Sequence, residues 1–299
     1  MDDSLFPFTL TRPIADIRVG ILTIREKEQR GSRGVLHWIP LLIRPWHIFQ
    51  LNAEALVDDF MLLTSGRLSQ PIPSSVQAIA PENIFIEEGA VLQHCILNAS
   101  TGPIYIGART ETMEGSLIRG PFALCEGATV KLGTKIYGAT TIGPYSIVGG
   151  EIKNSVIFGY SNKGHDGYLG DSVIGEWCNL GAGTSNSNLK NNAAEVKAWD
   201  QSSGQYISAG GKCGLLMGDY SRSAINTSFN TGTVVGVCCN VFGEGLTPKY
   251  IPSFSWGYEN NPGYQMEKAL RDIDSWKRFK GQALTDAEIK KLRYIYEKL

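Results

Sequence analysis

Hydrophobic residues in this chain recur every six positions. Counting from Ile106 gives Thr112, Ile118, Leu124, Val130, Ile136, Ile142 and Val148, of which only Thr112 is not aliphatic. Four residues after each stand Thr110, Ser116, Phe122, Ala128, Thr134, Thr140, Ser146 and Ile152, mostly small. An amphipathic helix repeats every three to four residues and a half-buried strand every two. A period of six fits a coil of three short flat strands per turn, each pointing one aliphatic side chain at the axis. The spacing predicts a mainly β chain built as a parallel β-helix of hexapeptide repeats.

The rest of the chain is read against that coil. Ile84, Ile86 and Val91 form a first, irregular turn, and residues 98–103 a loop. The register continues through Ile152, Val156 and Ile157. The polar stretch SNKGHDG (161–167) is expected to leave the coil as a loop before the repeat returns at Ile174 and Leu180. Residues 185–205, rich in Asn and Ser, predict a long protruding loop. Met217, Ser223, Phe229, Val235 and Val241 resume the spacing. Ahead of the coil, LFPFTLTRPIADIRVGILTIREKEQR carries Arg12, Arg18, Arg25, Lys27 and Arg30, which read as a phosphate-binding loop or a solvated face. A loop at Gly31, Ser32 and Gly34 follows, then a helix from WHIFQLNAEALVDDFMLL. Behind the coil, Met266, Leu270, Ile273 and Lys277 have helical spacing. Thr285 with Glu288 makes a capping box ahead of a stripe at Ile289, Leu292, Ile295, Tyr296 and Leu299. The expected organisation is a short α/β segment over 1–80, the coil over 81–257, and C-terminal helices over 258–299.

Composition narrows the function. A net charge of −1 gives no general attraction to nucleic acid or anionic membrane. No run reaches the length of a membrane span, and the acidic N-terminus MDDSLFPFTL is unlike a signal peptide. The six cysteines lack C-x-x-C spacing and read as free thiols of a cytoplasmic protein. His37, His47 and His94 form no ligand-like spacing with one another or with His165, so no metal site is expected.

His165, in NKGHDGYLG, is the leading candidate for chemistry because an imidazole accepts a proton near neutral pH. Glu151 and Lys153 precede it by about two coil segments. One can orient the imidazole and the other can bind an anion. Tyr168, Asn179 and Asn188 supply hydrogen-bonding groups.

The block from Lys135 to Asn188, with K-G-H-x-x-Y-L-G-D followed by I-G-x-x-x-N-x-G-A-G-T, resembles the acetyltransferase half of the GlmU-type bifunctional N-acetylglucosamine-1-phosphate uridyltransferase/glucosamine-1-phosphate N-acetyltransferases. LFPFTLTRPIADIRVGILTIREK and IPSFSWG resemble the divergent bacterial variant of that family, described as a sugar nucleotidyltransferase, here with a shortened N-terminal domain. The resemblance implies a left-handed β-helix that forms a homotrimer and uses acetyl-CoA as co-substrate. It implies His165 as general base, Glu151 as its acidic partner, and Asn188 beside the amine and acetyl group. Lys153, Tyr168 and Asn179 fall on sugar-phosphate contacts, and Ala182 on a backbone contact to coenzyme A. Lys135 stands where the family has arginine, keeping the charge but losing the bidentate fork. The expected partner is an amino-sugar phosphate or a nucleotide sugar.

Nucleotidyl transfer, with its Mg2+, needs a Rossmann-like domain of on the order of 100–150 residues. Only about eighty residues precede the coil, with no G-x-G-x-R-type loop. The chain is therefore expected not to transfer nucleotides. Two other readings stand beside acetyl transfer: a sugar-1-phosphate nucleotidyltransferase whose coil oligomerises it, and a non-catalytic trimeric scaffold that binds sugar nucleotides.

Overall fold

A computed structural model of the chain describes residues 4–31, 37–259 and 262–298. The loop expected at Ser32 and Gly34, and the end of the last helical stripe at Leu299, lie outside them. The coil is the left-handed parallel β-helix of the hexapeptide type. Its turns trace a triangle with three faces, each a parallel sheet. Face I holds six strands, among them Lys135–Tyr137, Glu151–Lys153 and Tyr168–Gly170. Face II holds nine, including Thr140–Ile142, Val156–Ile157 and Val173–Ile174. Face III holds eight, including Ile147–Val148, Asn162–Lys163 and Asn179–Leu180.

The residues counted in sixes fill the axis. Ile118, Ile136, Ile152 and Leu169 stack from face I; Leu124, Ile142, Ile157 and Ile174 from face II; Val130, Val148 and Leu180 from face III. The small residues between them, Ser116, Thr134, Thr140 and Ser146, are buried at the corners. There Thr134 Oγ1 donates to the Lys131 carbonyl and Ser146 Oγ to that of Phe158. A hydroxyl at such a corner satisfies a buried backbone group where a larger side chain would not fit.

Two expectations change. SNKGHDG does not leave the coil: Asn162–Lys163 is a face III strand, with Val148 opposite Lys163. Only the corner at 164–167 is irregular. The sequence misled here because a lysine occupies an interior aliphatic position. Likewise the 98–103 stretch is a corner between two strands, Ile96–Asn98 and Ile104–Ile106. The excursion after Ser185 is real, but it carries its own structure, an antiparallel hairpin of Lys197–Asp200 and Gln205–Ser208. The coil resumes in register at Leu215–Met217.

The N-terminal segment packs on face II. Leu5, Phe8, Ile17 and Val19 share a core with Val156, Phe158, Val173, Leu216 and Val234. Helix α1 (Ile24–Gln29), capped by the Thr23–Glu26 box, and helices α2 (His47–Gln50) and α3 (Asn52–Thr64) complete the segment. Asp59 of α3 accepts from the Ile21 and Leu22 amides at 2.7 and 3.0 Å and from the Lys27 ammonium at 2.5 Å. Arg12 pairs with Glu176 at 2.9 Å and with Asp219. Burial works against its charge, but the two carboxylates outweigh it and the guanidinium stays ionised. Four of the five basic residues of this stretch therefore brace the segment: besides Arg12, Arg25 pairs with Asp16, Arg18 with Glu26, and Lys27 with Asp59, while Arg30 is exposed.

Helices α4 (Met266–Phe279) and α5 (Asp286–Lys298) pack along the corner between faces II and III. The capping box forms: the Thr285 amide donates to Glu288 at 2.8 Å and the Glu288 amide to Thr285 at 3.3 Å. Tyr145, Tyr160 and Trp177 stack along the same corner, with Tyr160 and Trp177 4.4 Å apart and Lys277 over the Trp177 ring. No helix among the described residues is long and apolar enough to cross a membrane.

Candidate active site at the corner between faces III and I

Strand register on face I sets the first group. Lys135, Glu151 and Tyr168 stand opposite one another on successive strands, and so do Tyr137, Lys153 and Gly170. The residues between them, Ile136, Ile152 and Leu169, point to the axis. Alternation along a strand therefore sends both outer rows away from the core. Four of the residues singled out from the sequence, Lys135, Glu151, Lys153 and Tyr168, lie on this one face.

Their contacts are specific. The Tyr137 hydroxyl donates to Glu151 at 2.5 Å. That bond, reinforced by partial burial, raises the phenol to about 12, so Tyr137 remains a donor at neutral pH. The Lys153 ammonium lies 6.0 Å from the Tyr137 ring centre. Among the described residues, neither Lys135 nor Lys153 forms an ion pair. Tyr168 is also pushed to about 12, by burial first and by Asp171 second. Its hydroxyl accepts from Asn188 Nδ2 at 3.0 Å. The same amide donates to Asp171, whose other oxygen accepts from Asn154 at 2.7 Å. Asn188 is thereby tied to face I although it opens the excursion from the coil.

His165 sits on the corner entering face I, between Lys163 and Tyr168. It is exposed, and among the described residues its ring makes no hydrogen bond. Its turn lies against the Gly149–Gly150 corner of the preceding coil. Gly150 has φ +77°, and a Cβ there would come within 2.8 Å of the His165 carbonyl. Gly150 runs directly into Glu151, so the close approach of the two corners brings the histidine's turn over the start of the strand that carries the carboxylate. Ala182 occupies the corner of the next coil, where the Gly183 amide donates to the Asp166 carbonyl at 3.0 Å. The Ala182 carbonyl accepts from Asn226 at 2.7 Å.

Asn179 is round the corner, on face III. It stands opposite Asn162 on one side and Arg222 on the other, with Asn162 Nδ2 at 3.5 Å from its Oδ1. Asn162 in turn accepts from Lys280 at the end of α4. The structure thus gathers Lys135, Glu151, Lys153, Tyr168 and Asn188 on one face and His165 and Ala182 on the adjoining corner. Asn179 is on the other flank of that corner.

Sequence reasoning missed Tyr137, Asp171 and Lys163. Tyr137 could have been found by laying one coil on the next: Lys135 and Glu151 share a register position, and so do Tyr137 and Lys153. Asp171 closes the Y-L-G-D run but has a positive φ of 48° and is buried, which no pattern of hydropathy announces. The Cys178 thiol is buried and pushed far above its ordinary range, so it is no nucleophile for this site. Among the described residues no three His, Cys, Asp or Glu side chains converge to hold a metal ion.

Residues 2–39 match the family model for sugar nucleotidyl transferase. The bifunctional protein GlmU of Methanocaldococcus jannaschii is 27% identical over 238 residues, covering 80% of this chain and 52% of that protein. The bifunctional sugar-1-phosphate nucleotidylyltransferase/acetyltransferase of Sulfurisphaera tokodaii is 39% identical over 93 residues, covering 31% of this chain and 23% of that protein. Among solved structures, the UDP-N-acetylglucosamine acyltransferase of Francisella novicida is 16% identical, with a TM-score of 0.34 over 76% of each chain. The chain spans about half the length of the first of these curated relatives and less of the second. With one stretch of sequence like the nucleotidyl transferases and most of its length alignable to a bifunctional relative, the chain is related to the GlmU-type proteins.

Proposed function

We propose that this chain is an acyltransferase that moves the acetyl group of acetyl-CoA to the amine of an amino-sugar phosphate such as glucosamine-1-phosphate, with His165 as general base. The observation that carries the reading is the arrangement on face I: two lysines without ion pairs among the described residues, two protonated phenols and a carboxylate, next to an exposed histidine on the adjoining corner.

The roles follow from the groups. Lys153, Lys135 and the Tyr168 hydroxyl hold the sugar phosphate, and Asn188 stands beside the amine and the acetyl group. The sugar amine attacks the thioester carbonyl carbon, and the carbonyl electron pair moves to oxygen. His165 takes the proton that the amine sheds, a contribution of roughly 10²–10⁴ in rate. Backbone amides of the glycine-rich corner steady the oxyanion. Collapse breaks the carbon–sulfur bond, and the imidazolium returns its proton to the leaving thiolate. Glu151 stabilises the imidazolium, and no covalent enzyme intermediate forms. Coenzyme A lies along the corner past Ala182. We further propose a cytoplasmic homotrimer, in which Asn179, on the far flank of the corner, completes the sugar-phosphate contacts. Residues 2–39 favour nucleotidyl transfer as a second reading, but Arg12, Arg18, Arg25 and Lys27 are engaged in bracing the fold, and the proposed activity routes no step through Mg2+.

The test is a thiol-release assay with acetyl-CoA and glucosamine-1-phosphate on the wild type and His165→Ala. A loss of at least a hundredfold supports the base. Turnover indifferent to the substitution discards the site, and no turnover with any amino-sugar phosphate discards acetyl transfer.

A further inference from the structure

Lys163 is out of place for a lysine. Its register neighbour on face III is Val148, and Val130 and Leu180 fill the equivalent positions on other coils. It is 2% exposed. An ammonium taken out of water must be hydrogen-bonded to persist there. Nζ donates to two backbone carbonyls, Gly149 at 3.0 Å and His165 at 2.6 Å. The side chain therefore turns away from the axis and emerges under the corner.

Those two carbonyls belong to two different coils. Gly149 opens the corner that leads into Glu151. His165 is the proposed base on the corner above. The turn from Gly164 to Gly167 has glycine at both ends and little else to fix it. Among the described residues its backbone bonds run from Gly149 to the Lys163 carbonyl at 2.7 Å, from Glu151 to that of Gly167 at 3.2 Å, and from Gly183 to that of Asp166 at 3.0 Å. None of them holds His165 itself. Glycine's conformational freedom would leave that residue the loosest of the turn.

We infer that Lys163 is a positioning residue: its buried ammonium clamps the His165 carbonyl to the Gly149 corner and so sets where the imidazole stands relative to Glu151 and the sugar site. Burial lowers the Lys163 pKa to about 8 while the Asp166 charge opposes the fall, so the clamp is largely charged at neutral pH. A hydrogen bond to a charged donor is about twice as strong as a neutral one, which suits a tie that must restrain a glycine-flanked turn. Lys163 touches no substrate, and its effect passes through His165. This inference rests on the reading of His165 as the base, but the clamp can be examined apart from it.

The experiment compares the full chain with Lys163→Met, which fills the same interior position without the ammonium. Amide hydrogen exchange at Glu151 and Gly183, whose amides donate to the Gly167 and Asp166 carbonyls of the turn, is expected to rise at least tenfold, with exchange elsewhere on the coil unchanged. Acetyl transfer is expected to fall at least tenfold in kcat, with KM for both substrates within about twofold. If exchange at those two amides stays at the wild-type level, the clamp is disproved. If exchange rises and kcat does not move, the positioning role is disproved. If the wild type shows no acetyl transfer, the exchange comparison still decides the clamp, and only the proposed function has failed. Lys163→Gln, whose amide can reach one of the two carbonyls, serves if the methionine variant does not fold. It is expected to show the same changes at intermediate size, and wild-type exchange in that variant overturns the clamp.

Discussion

Tyr137 donates its phenolic proton to Glu151 across one coil of the helix, at 2.5 Å. The carboxylate assigned to steady the histidine is thus already held by a neighbour in the adjacent outer row. Tyr137→Phe removes that bond and leaves the strand intact. The expected result is a kcat/KM lowered about three- to tenfold and a stability change near 1 kcal/mol, the size of one hydrogen bond. Steady-state kinetics beside denaturant unfolding checks it, and an activity equal to the wild type would remove Tyr137 from the site.

Lys163 predicts a pH dependence of stability. Its folded-state pKa of about 8 lies below the 10.5 of a free lysine side chain. Between those values the unfolded chain binds more protons, so stability rises with pH across the window. The penalty is fully present below about pH 8 and is gone above the unfolded value. The lowering corresponds to about 3 kcal/mol. Lys163→Met lacks the term. The stability of the wild type relative to Lys163→Met should therefore improve by a few kcal/mol from pH 7 to 10.5. Lys280, also lowered to about 8 by burial, cancels in the difference. A difference that does not change with pH would contradict the burial of a charged Lys163.

Gly150 and Gly133 separate strain from collision. Both have positive φ, +77° and +65°, on the corner entering face I in consecutive coils. A Cβ at Gly133 meets nothing within 4 Å, whereas one at Gly150 meets the His165 carbonyl at 2.8 Å. Each alanine variant should lose about 1–2 kcal/mol for the left-handed backbone. Only Gly150→Ala should also displace the histidine turn, with a further loss of activity of tenfold or more. Thermal unfolding and the thiol-release assay on both variants decide it. Equal activity in the two would mean the corner tolerates the shift.

Arg12 anchors the N-terminal segment through two carboxylates on the coil. Asp219 is buried with it and also accepts from Thr11 at 2.5 Å and from the Glu176 amide at 2.8 Å. Arg12→Met leaves a buried carboxylate without its cation, a loss expected to be about 3–5 kcal/mol. Denaturant unfolding gives the magnitude. Limited proteolysis should show early cleavage at Arg18 and Arg25. Resistance equal to the wild type would mean that the apolar contacts of Leu5, Phe8 and Ile17 suffice.

The period of six carried the coil, because an axis lined by one aliphatic residue per strand leaves a trace that no other packing leaves. It failed at Lys163, where a polar residue answers a local need of the corner. It was silent on the hairpin of Lys197–Asp200 and Gln205–Ser208 inside the excursion after Ser185, since an antiparallel pair that seats Val196, Ala198 and Ala209 on the core does not share the period of the coil. The candidate site was legible as residue types, and Glu151, Lys153 and Tyr168 fall on one face because coil spacing brings them there. Tyr137 and Asp171 were not legible, because their parts in the site are hydrogen bonds between coils. Asn179 was read as a member of the same group, and its strand places it on the neighbouring face, a distinction that depends on counting strands through the irregular corner at 164–167.

The docking of residues 5–19 on face II has a consequence for how the chain is made. Thr11 reaches Asp219 across 208 residues of sequence, and the surface under Phe8 is built from strands that begin at Val156. At roughly 5–20 residues per second on the ribosome, Thr11 waits on the order of 10–40 s for Asp219 to be synthesised. For that interval the apolar side chains at Leu5, Phe6 and Phe8 have no seat. The coil, whose contacts are between neighbouring turns, can wind up as it emerges. The earliest of these residues to be synthesised are therefore among the last to settle, and their protection during synthesis falls to whatever meets the nascent chain.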